Sequence, residues 1–310
     1  MTYPAVFLFL LPLCFLGGVA LTGGLYALAL QNKLPRLPLL PPPRDRDIHT
    51  ERKPRIGGIA IWLVVLLTLV ILPQTPAGNL LDFGHPGALG IDRSIWGVLC
   101  GLMVILGFGL LDDLYSLKWG WQLLGQILAA FALILAGIGP TFINLPLLGT
   151  VNLSPLASAL FTLIWTLTLI NVMNFFDGLD GLAGSMAITS ALVMMVISLN
   201  LGSLGTATLA LILLGAVAGY LPWNWHPSKI FMGTVGSETL GFMLAVVAII
   251  SGAKVATAVL VLGIPVLDAV LVVVRRLRAG VSPFKADQRH LHHRLLRLGL
   301  SVPKWSYSLT

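Results

Sequence analysis

Nine apolar stretches follow one another along the chain, at about residues 4–30, 57–73, 95–111, 121–139, 156–173, 182–199, 205–221, 236–252 and 255–274. Each is close to the roughly 20 residues that an α-helix needs to cross the hydrocarbon of a bilayer. No other feature constrains the fold as much. A backbone in hydrocarbon must satisfy its own N–H and C=O groups, so continuous apolar segments of this length fold as helices. Composition agrees, with 57% hydrophobic and 10% charged residues, against roughly 25% charged in soluble domains. The expected fold class is all-α: a polytopic integral membrane helical bundle with about nine transmembrane helices, forming a single domain over residues 1–310 with no soluble insertion.

The first stretch carries no charge before its apolar run and is longer than the roughly 7–15 residue core of a cleaved signal, so it is expected as a retained helix. Cys14 and Cys100 both fall within spans and form no disulfide framework. The connection over 31–56, with "LPRLPLLPPPRDRD", is Pro-rich and basic and is expected to be extended. Between the fourth and fifth spans, "PTFINLPLLGTVNLSP" at 140–155 sets turn residues around short apolar runs and predicts a small hairpin. Trp119, Trp121, Trp223 and Trp225 lie near span ends, as interfacial residues do.

Of the 19 Lys and Arg, seven lie in 31–56, one is Lys118, one is Lys229 and eight run from Arg275 onward; only Arg93 and Lys254 fall in the alternate connections. Basic residues mark the cytoplasmic side of a span. The expected topology therefore has the N-terminus outside and a cytoplasmic His- and Arg-rich segment and C-terminus over 275–310, in a plasma or inner membrane. Orientation and contact with anionic lipids or substrates account for the net charge of +7, and no nucleic-acid partner is needed.

The carboxylates fall on the same face. Asp112 and Asp113 follow the third span in "GLLDDLYSLKWGWQ", Asp177 and Asp180 follow the fifth in "NVMNFFDGLDGLAG", and Glu238 opens the eighth. An isolated Asp at a helix end often only caps it. Four in two otherwise apolar connections need more explanation, because intramembrane charge is expensive. Asn171, Asn174, Asp177 and Asp180 recur every three residues, so on one continuing helix they form a polar stripe. Such an oxygen-rich stripe suits a hard cation such as Mg²⁺. Lys53 and Arg55 precede the glycine pair of "PRIGG" at a span N-terminus, an arrangement that suits phosphate. His290, His292 and His293 sit among arginines in "HLHHR". Without Cys or an H-E-x-x-H pattern, phosphate clasping or proton transfer fits them better than zinc.

Five blocks, "PRIGG", "LLDDLYSLKWGWQ", "NVMNFFDGLDGLAG", "FMGTVGSETLG" and "HLHHR", occur in order from residue 53 to 294. Together they resemble the polyprenyl-phosphate N-acetylhexosamine-1-phosphate transferase superfamily (glycosyltransferase family 4), more closely its undecaprenyl-phosphate GlcNAc-1-phosphate branch than the peptidoglycan-precursor branch. The resemblance implies transfer of a sugar-1-phosphate from a UDP-N-acetylhexosamine to a polyprenyl phosphate, dependent on Mg²⁺ or Mn²⁺, for surface polysaccharide synthesis. It implies that Asp112 and Asp113 serve the metal and the acceptor phosphate, and that Asp177 serves the catalytic stripe, flanked by Asn171 and Asn174. Asp180, Asn224 and Phe231 would grip the uracil, Lys53 the nucleotide phosphates, and His290, His292 and His293 the diphosphate. Membrane lipids and a second copy in a homodimer complete the expected partners.

Thr234 stands where the family pattern M-G-D-x-G-S has a metal-binding Asp, and Glu238, four residues on, is the substitute carboxylate considered for the metal. Relatives of this type usually continue further past the histidine segment. Two alternatives stay open on these grounds: a weak or inactive member that only binds nucleotide sugar or lipid phosphate, and a secondary transporter. The transporter requires ionisable groups at mid-span on broken helices, and apart from Asp268 the mid-span positions are apolar.

Overall fold

The computed structural model describes residues 3–31, 53–145 and 149–250. Over them the chain folds into eight helices: α1 (Tyr3–Leu30), α2 (Gly57–Ile71), α3 (Arg93–Tyr115), α4 (Trp119–Leu135), α5 (Pro155–Phe176), α6 (Leu182–Asn200), α7 (Leu204–Asn224) and α8 (Gly233–Ile250). These match the first eight apolar stretches one for one. Seven are long and apolar enough to cross a membrane. α4, with 17 residues, is about 26 Å long at ~1.5 Å per residue, slightly under the hydrocarbon thickness. The ninth expected span and the 275–310 segment with His290, His292 and His293 lie outside the described residues, as does most of 31–56.

The predicted hairpin is present. β1 (Phe142–Leu145) pairs antiparallel with β2 (Gly149–Asn152), with Phe142 opposite Asn152 and Leu145 opposite Gly149. It lies at the same end of the bundle as the 72–92 connection. There Asp92 caps α3 through Ser94 N–H at 2.7 Å and also accepts the N–H groups of Phe83 and His85, each at 2.9 Å. The Arg93 guanidinium donates to the Leu135 carbonyl at 2.6 Å, tying the start of α3 to the end of α4.

α8 is the centre of the bundle. Its residues from Thr234 to Ile249 are all buried, and α2, α3, α5 and α7 surround it. α1 packs on α7 and α2, while α4 joins α3 to α5 and α6 leans on α7. Leu8, Phe9, Leu13 and Leu16 on α1 are exposed apolar side chains, consistent with a lipid-facing surface.

Helices already solvated by lipid gain little from hydrophobic burial against one another, so close packing by small residues matters more. A Cβ on Gly58 would overlap the Cα of Gly236, which makes the α2–α8 crossing a backbone-to-backbone contact. Gly18 and Gly219 meet similarly between α1 and α7. Because α2 and α8 both start at the Gly58–Gly236 crossing, their N-termini sit side by side at one end of the bundle. Of the five described Lys and Arg, four, Lys53, Arg55, Lys118 and Lys229, are at that end, and Arg93 is at the other.

Candidate active site

α3 ends in two adjacent carboxylates held in different ways. The chain turns sharply after Tyr115, with Ser116 in the left-handed region at φ 51°. That turn brings Leu117 N–H back to Asp112 Oδ1 at 2.9 Å, and Gln122 Nε2 of α4 donates to the same oxygen at 2.7 Å. Asp112 Oδ2 accepts the Thr234 hydroxyl at 2.6 Å. Asp112 is 2% exposed, and these donors satisfy a carboxylate that would otherwise be costly to bury. Asp113 instead caps α8 from outside: Thr234 N–H donates to Oδ1 at 2.9 Å and Val235 N–H to Oδ2 at 3.3 Å. A carboxylate at a helix N-terminus also meets the positive end of the helix dipole. Gly233 permits the approach. Its φ is +74°, and a Cβ there would sit 2.7 Å from Asp113 Oδ2.

The segment before α2 lies beside the segment before α8. Phe231 N–H donates to the Pro54 carbonyl at 2.8 Å, Gly57 N–H to Phe231 at 3.0 Å and Gly58 N–H to Met232 at 2.8 Å. The phosphate role expected for the glycine pair therefore needs correction: both N–H groups are used by backbone, and Gly58 is required by the helix crossing. Lys53 lies beside Phe231. Its ammonium lies 5.5 Å from the ring centroid and 3.4 Å from Ser228 Oγ.

The stripe expected from Asn171 to Asp180 breaks in two. α5 ends at Phe176, Asp177 is its C-cap with its N–H on the Met173 carbonyl at 3.1 Å, and Gly181 at φ +73° starts α6. The chain leaves the helix at Asp177 and starts a new one after Gly181, so Asp180 no longer shares a helical row with Asn171 and Asn174. Asn174 and Asp177 are half-buried at the end of α5. Asp180 turns toward the α7–α8 connection, where its Oδ2 lies 3.0 Å from His226 Nδ1 and accepts Ser228 N–H at 3.1 Å. Asn224 is buried and clamps that connection, accepting Gly181 N–H and donating to the Ile230 carbonyl, both at 3.0 Å.

Asn171 points the other way, donating at 2.7 Å to Gln126 Oε1 of α4. Gln126 in turn donates at 2.9 Å to Glu238 Oε1 of α8. This amide-to-carboxyl chain links three helices one turn below Thr234, and Gln126 and Glu238 are 4% and 2% exposed. Gln122, Gln126, His226 and Ser228 were not singled out from the sequence. The signal for the first two was two glutamines four residues apart inside an otherwise apolar window, "WQLLGQILAA".

Among the described residues no three His, Cys, Asp or Glu side chains form a group that could hold a metal ion. Asp112, Asp113, Asp177 and Glu238 are thus not one preassembled cluster: Asp112 and Asp113 are held at the α3–α8 contact, Asp177 at the end of α5, and Glu238 by Gln126. The donor chemistry still fits Mg²⁺, which takes oxygen ligands and commonly needs only one or two protein carboxylates beside water and substrate phosphate. The adjacent Asp112 and Asp113 meet that requirement.

The family model described as glycosyl transferase family 4 matches residues 95–252. The chain is 36% identical over 293 residues to the decaprenyl-phosphate N-acetylglucosaminephosphotransferase of Mycobacterium leprae, an alignment covering 86% of this chain and 72% of that protein. It is 31% identical over 269 residues to the probable undecaprenyl-phosphate N-acetylglucosaminyl 1-phosphate transferase of Bacillus subtilis, covering 84% and 70%. The phospho-N-acetylmuramoyl-pentapeptide-transferase of Bacillus thuringiensis is 30% identical over 275 residues, covering 81% and 79%. With a family match running from α3 through α8 and relatives of this identity along most of its length, the chain belongs to glycosyl transferase family 4.

Proposed function

We propose that the chain transfers N-acetylglucosamine 1-phosphate from UDP-N-acetylglucosamine to a polyprenyl phosphate, giving polyprenyl-diphospho-N-acetylglucosamine and UMP. The observation that supports this reading is the direct bonding of Thr234 to both Asp112 and Asp113, with Lys53 over Phe231 at the same end of the bundle. A water-soluble anionic donor and a lipid phosphate meet only at head-group level, and an acidic pair beside a basic, aromatic connection at a bundle end suits that meeting. We propose that this end, with four of the five described Lys and Arg, faces the cytoplasm.

An oxygen of the acceptor phosphate bonds to the sugar-bearing phosphorus of the donor. The bond from that phosphorus to the bridging oxygen breaks, and UMP departs with the electron pair. A phosphate monoester with a second pKa near ~6 is largely ionised at neutral pH, so a strong general base is not required. The protein's main tasks are alignment and electrostatic stabilisation. Asp112 and Asp113, with Asp177 contributing from the end of α5, would hold Mg²⁺, whose chemistry is to neutralise charge on the diphosphate. Thr234, Gln122 and Leu117 keep Asp112 in one orientation, and the start of α8 does the same for Asp113. Lys53 and Phe231 receive the nucleotide.

Membranes containing the protein, incubated with labelled UDP-N-acetylglucosamine and polyprenyl phosphate, are expected to form a labelled lipid and release UMP. Chelator abolishes the product, and Mg²⁺ or Mn²⁺ restores it. Absence of any chelator-sensitive labelled lipid would overturn the proposal.

A further inference from the structure

We infer that His226 is a further nucleotide-binding residue, forming with Lys53 a clasp for the phosphate-bearing part of the donor, and that Asp180 is the carboxylate that positions it. This role rests on the donor proposed above. His226 lies in the connection between α7 and α8, with Nδ1 3.0 Å from Asp180 Oδ2. A carboxylate only accepts, so Nδ1 carries the hydrogen. The bond directs Nε2 away from Asp180, and in the imidazolium form that nitrogen also carries a hydrogen and can donate it to an anion. The Asp180 side chain is 4% exposed and that of His226 is 30% exposed, so the carboxylate is sealed beneath a ring that reaches the surface.

Ser228 connects this pair to Lys53. Its N–H donates to the same Asp180 oxygen at 3.1 Å, and its Oγ accepts the Lys53 ammonium at 3.4 Å. Lys53 in turn lies 5.5 Å from the Phe231 ring centroid. The α7–α8 connection and the segment before α2 therefore bring together an oriented imidazole, a serine held at both its backbone and its hydroxyl, a cation and an aromatic ring. A nucleoside diphosphate presents a flat base and an anionic diphosphate on either side of a ribose. Phe231 matches the base, while Lys53 and His226 match the anion by charge-assisted hydrogen bonds. A ring acting only as a pin for Asp180 would be replaceable by any donor and would leave nucleotide affinity unchanged.

The test uses the full chain in detergent or nanodiscs, with UDP as the binding probe and wild type, His226→Ala and His226→Gln compared. For His226→Ala, UDP affinity is expected to fall about tenfold, the equivalent of one charge-assisted hydrogen bond. KM for UDP-N-acetylglucosamine rises by the same factor, while kcat and KM for polyprenyl phosphate stay near wild type. His226→Gln can still donate to Asp180 but cannot carry charge, so it recovers thermal stability without recovering UDP affinity. It decides the matter if the alanine variant does not fold. Unchanged UDP binding in both variants overturns the inference, as does a KM change confined to polyprenyl phosphate, which assigns the residue to the lipid phosphate instead. Wild type that binds no UDP at all sinks the donor assignment itself, a result separate from any effect of His226.

Discussion

Thr234 and Asp112 are joined by a hydroxyl-to-carboxylate hydrogen bond of 2.6 Å between the start of α8 and the end of α3. The backbone N–H of the same threonine holds Asp113 at 2.9 Å, so one residue orients both aspartates. A carboxylate at position 234 could accept hydrogen bonds but could not donate one to Asp112. The threonine thus replaces a charge with a donor.

Thr234→Val keeps the side-chain shape and removes that donor. A hydrogen bond to a charged group contributes about 1.5–3 kcal/mol, so the initial rate of labelled-lipid formation is expected to fall by about one to two orders of magnitude. Thr234→Ser retains the hydroxyl and stays close to wild type. Equal rates for the valine and serine variants would remove the role given to this bond.

Thr234→Asp places a second acidic group against the buried Asp112 carboxylate. In chelator its thermal unfolding midpoint is expected to lie below that of wild type, because like charges at this distance repel in a poorly solvated site. Mg²⁺ is expected to raise the midpoint of this variant more than that of wild type. A variant indifferent to Mg²⁺ argues against a cation beside Asp112 and Asp113.

Asp113 combines a cap with the proposed chemistry, and two substitutions separate them. Asp113→Ala loses the cap and is expected to destabilise the protein by about 0.5–2 kcal/mol in denaturant titrations, whereas Asp113→Asn, still an acceptor for the α8 N–H groups, loses less. Both variants lose transfer activity, since neither carries the charge. An active asparagine variant would reduce Asp113 to a cap.

The Asn171–Gln126–Glu238 chain couples α5, α4 and α8. Gln126→Leu and Glu238→Leu, made singly and together, are expected to show a coupling of about 0.5–3 kcal/mol in a double-mutant cycle of thermal stability, as contacting polar groups do. Additive effects would mean that the two side chains act independently.

Gly58 and Gly24 make a matched pair for packing. A side chain at Gly58 meets Gly236 backbone, while a Cβ at Gly24 has nothing within 4 Å. Gly58→Val is expected to lower stability by at least ~1–3 kcal/mol, the usual cost of overpacking, whereas Gly24→Val leaves the unfolding midpoint nearly unchanged. Equal tolerance at both positions would contradict the α2–α8 crossing.

The reading of Asn171, Asn174, Asp177 and Asp180 as one stripe shows how far a local pattern extends. The spacing of three was correct for a helix, and the first three residues do lie on or at the end of α5. The helix ends at Phe176, and Asp180 finds His226 and Ser228 in a connection 46 and 48 residues away. The glycine pair of "PRIGG" is special for a different reason from the phosphate site its sequence suggests. It needs Gly236 beside it, and nothing within its own segment shows that.

The sequence by itself determined the eight described helices, the hairpin after α4 and the gathering of the acidic connections on the same side of the spans as the basic ones. Those follow from hydrocarbon thickness and from the cost of moving charge through it, which act on each segment separately. Tertiary structure alone decided the partners: Thr234 with Asp112 across 122 positions, Lys53 with Ser228 across 175, and Asn171 with Glu238 through Gln126. An apolar helix carries little information about its own rotation in lipid. Small-residue crossings and a few polar bonds set that rotation, and both require the neighbouring helix to be in place.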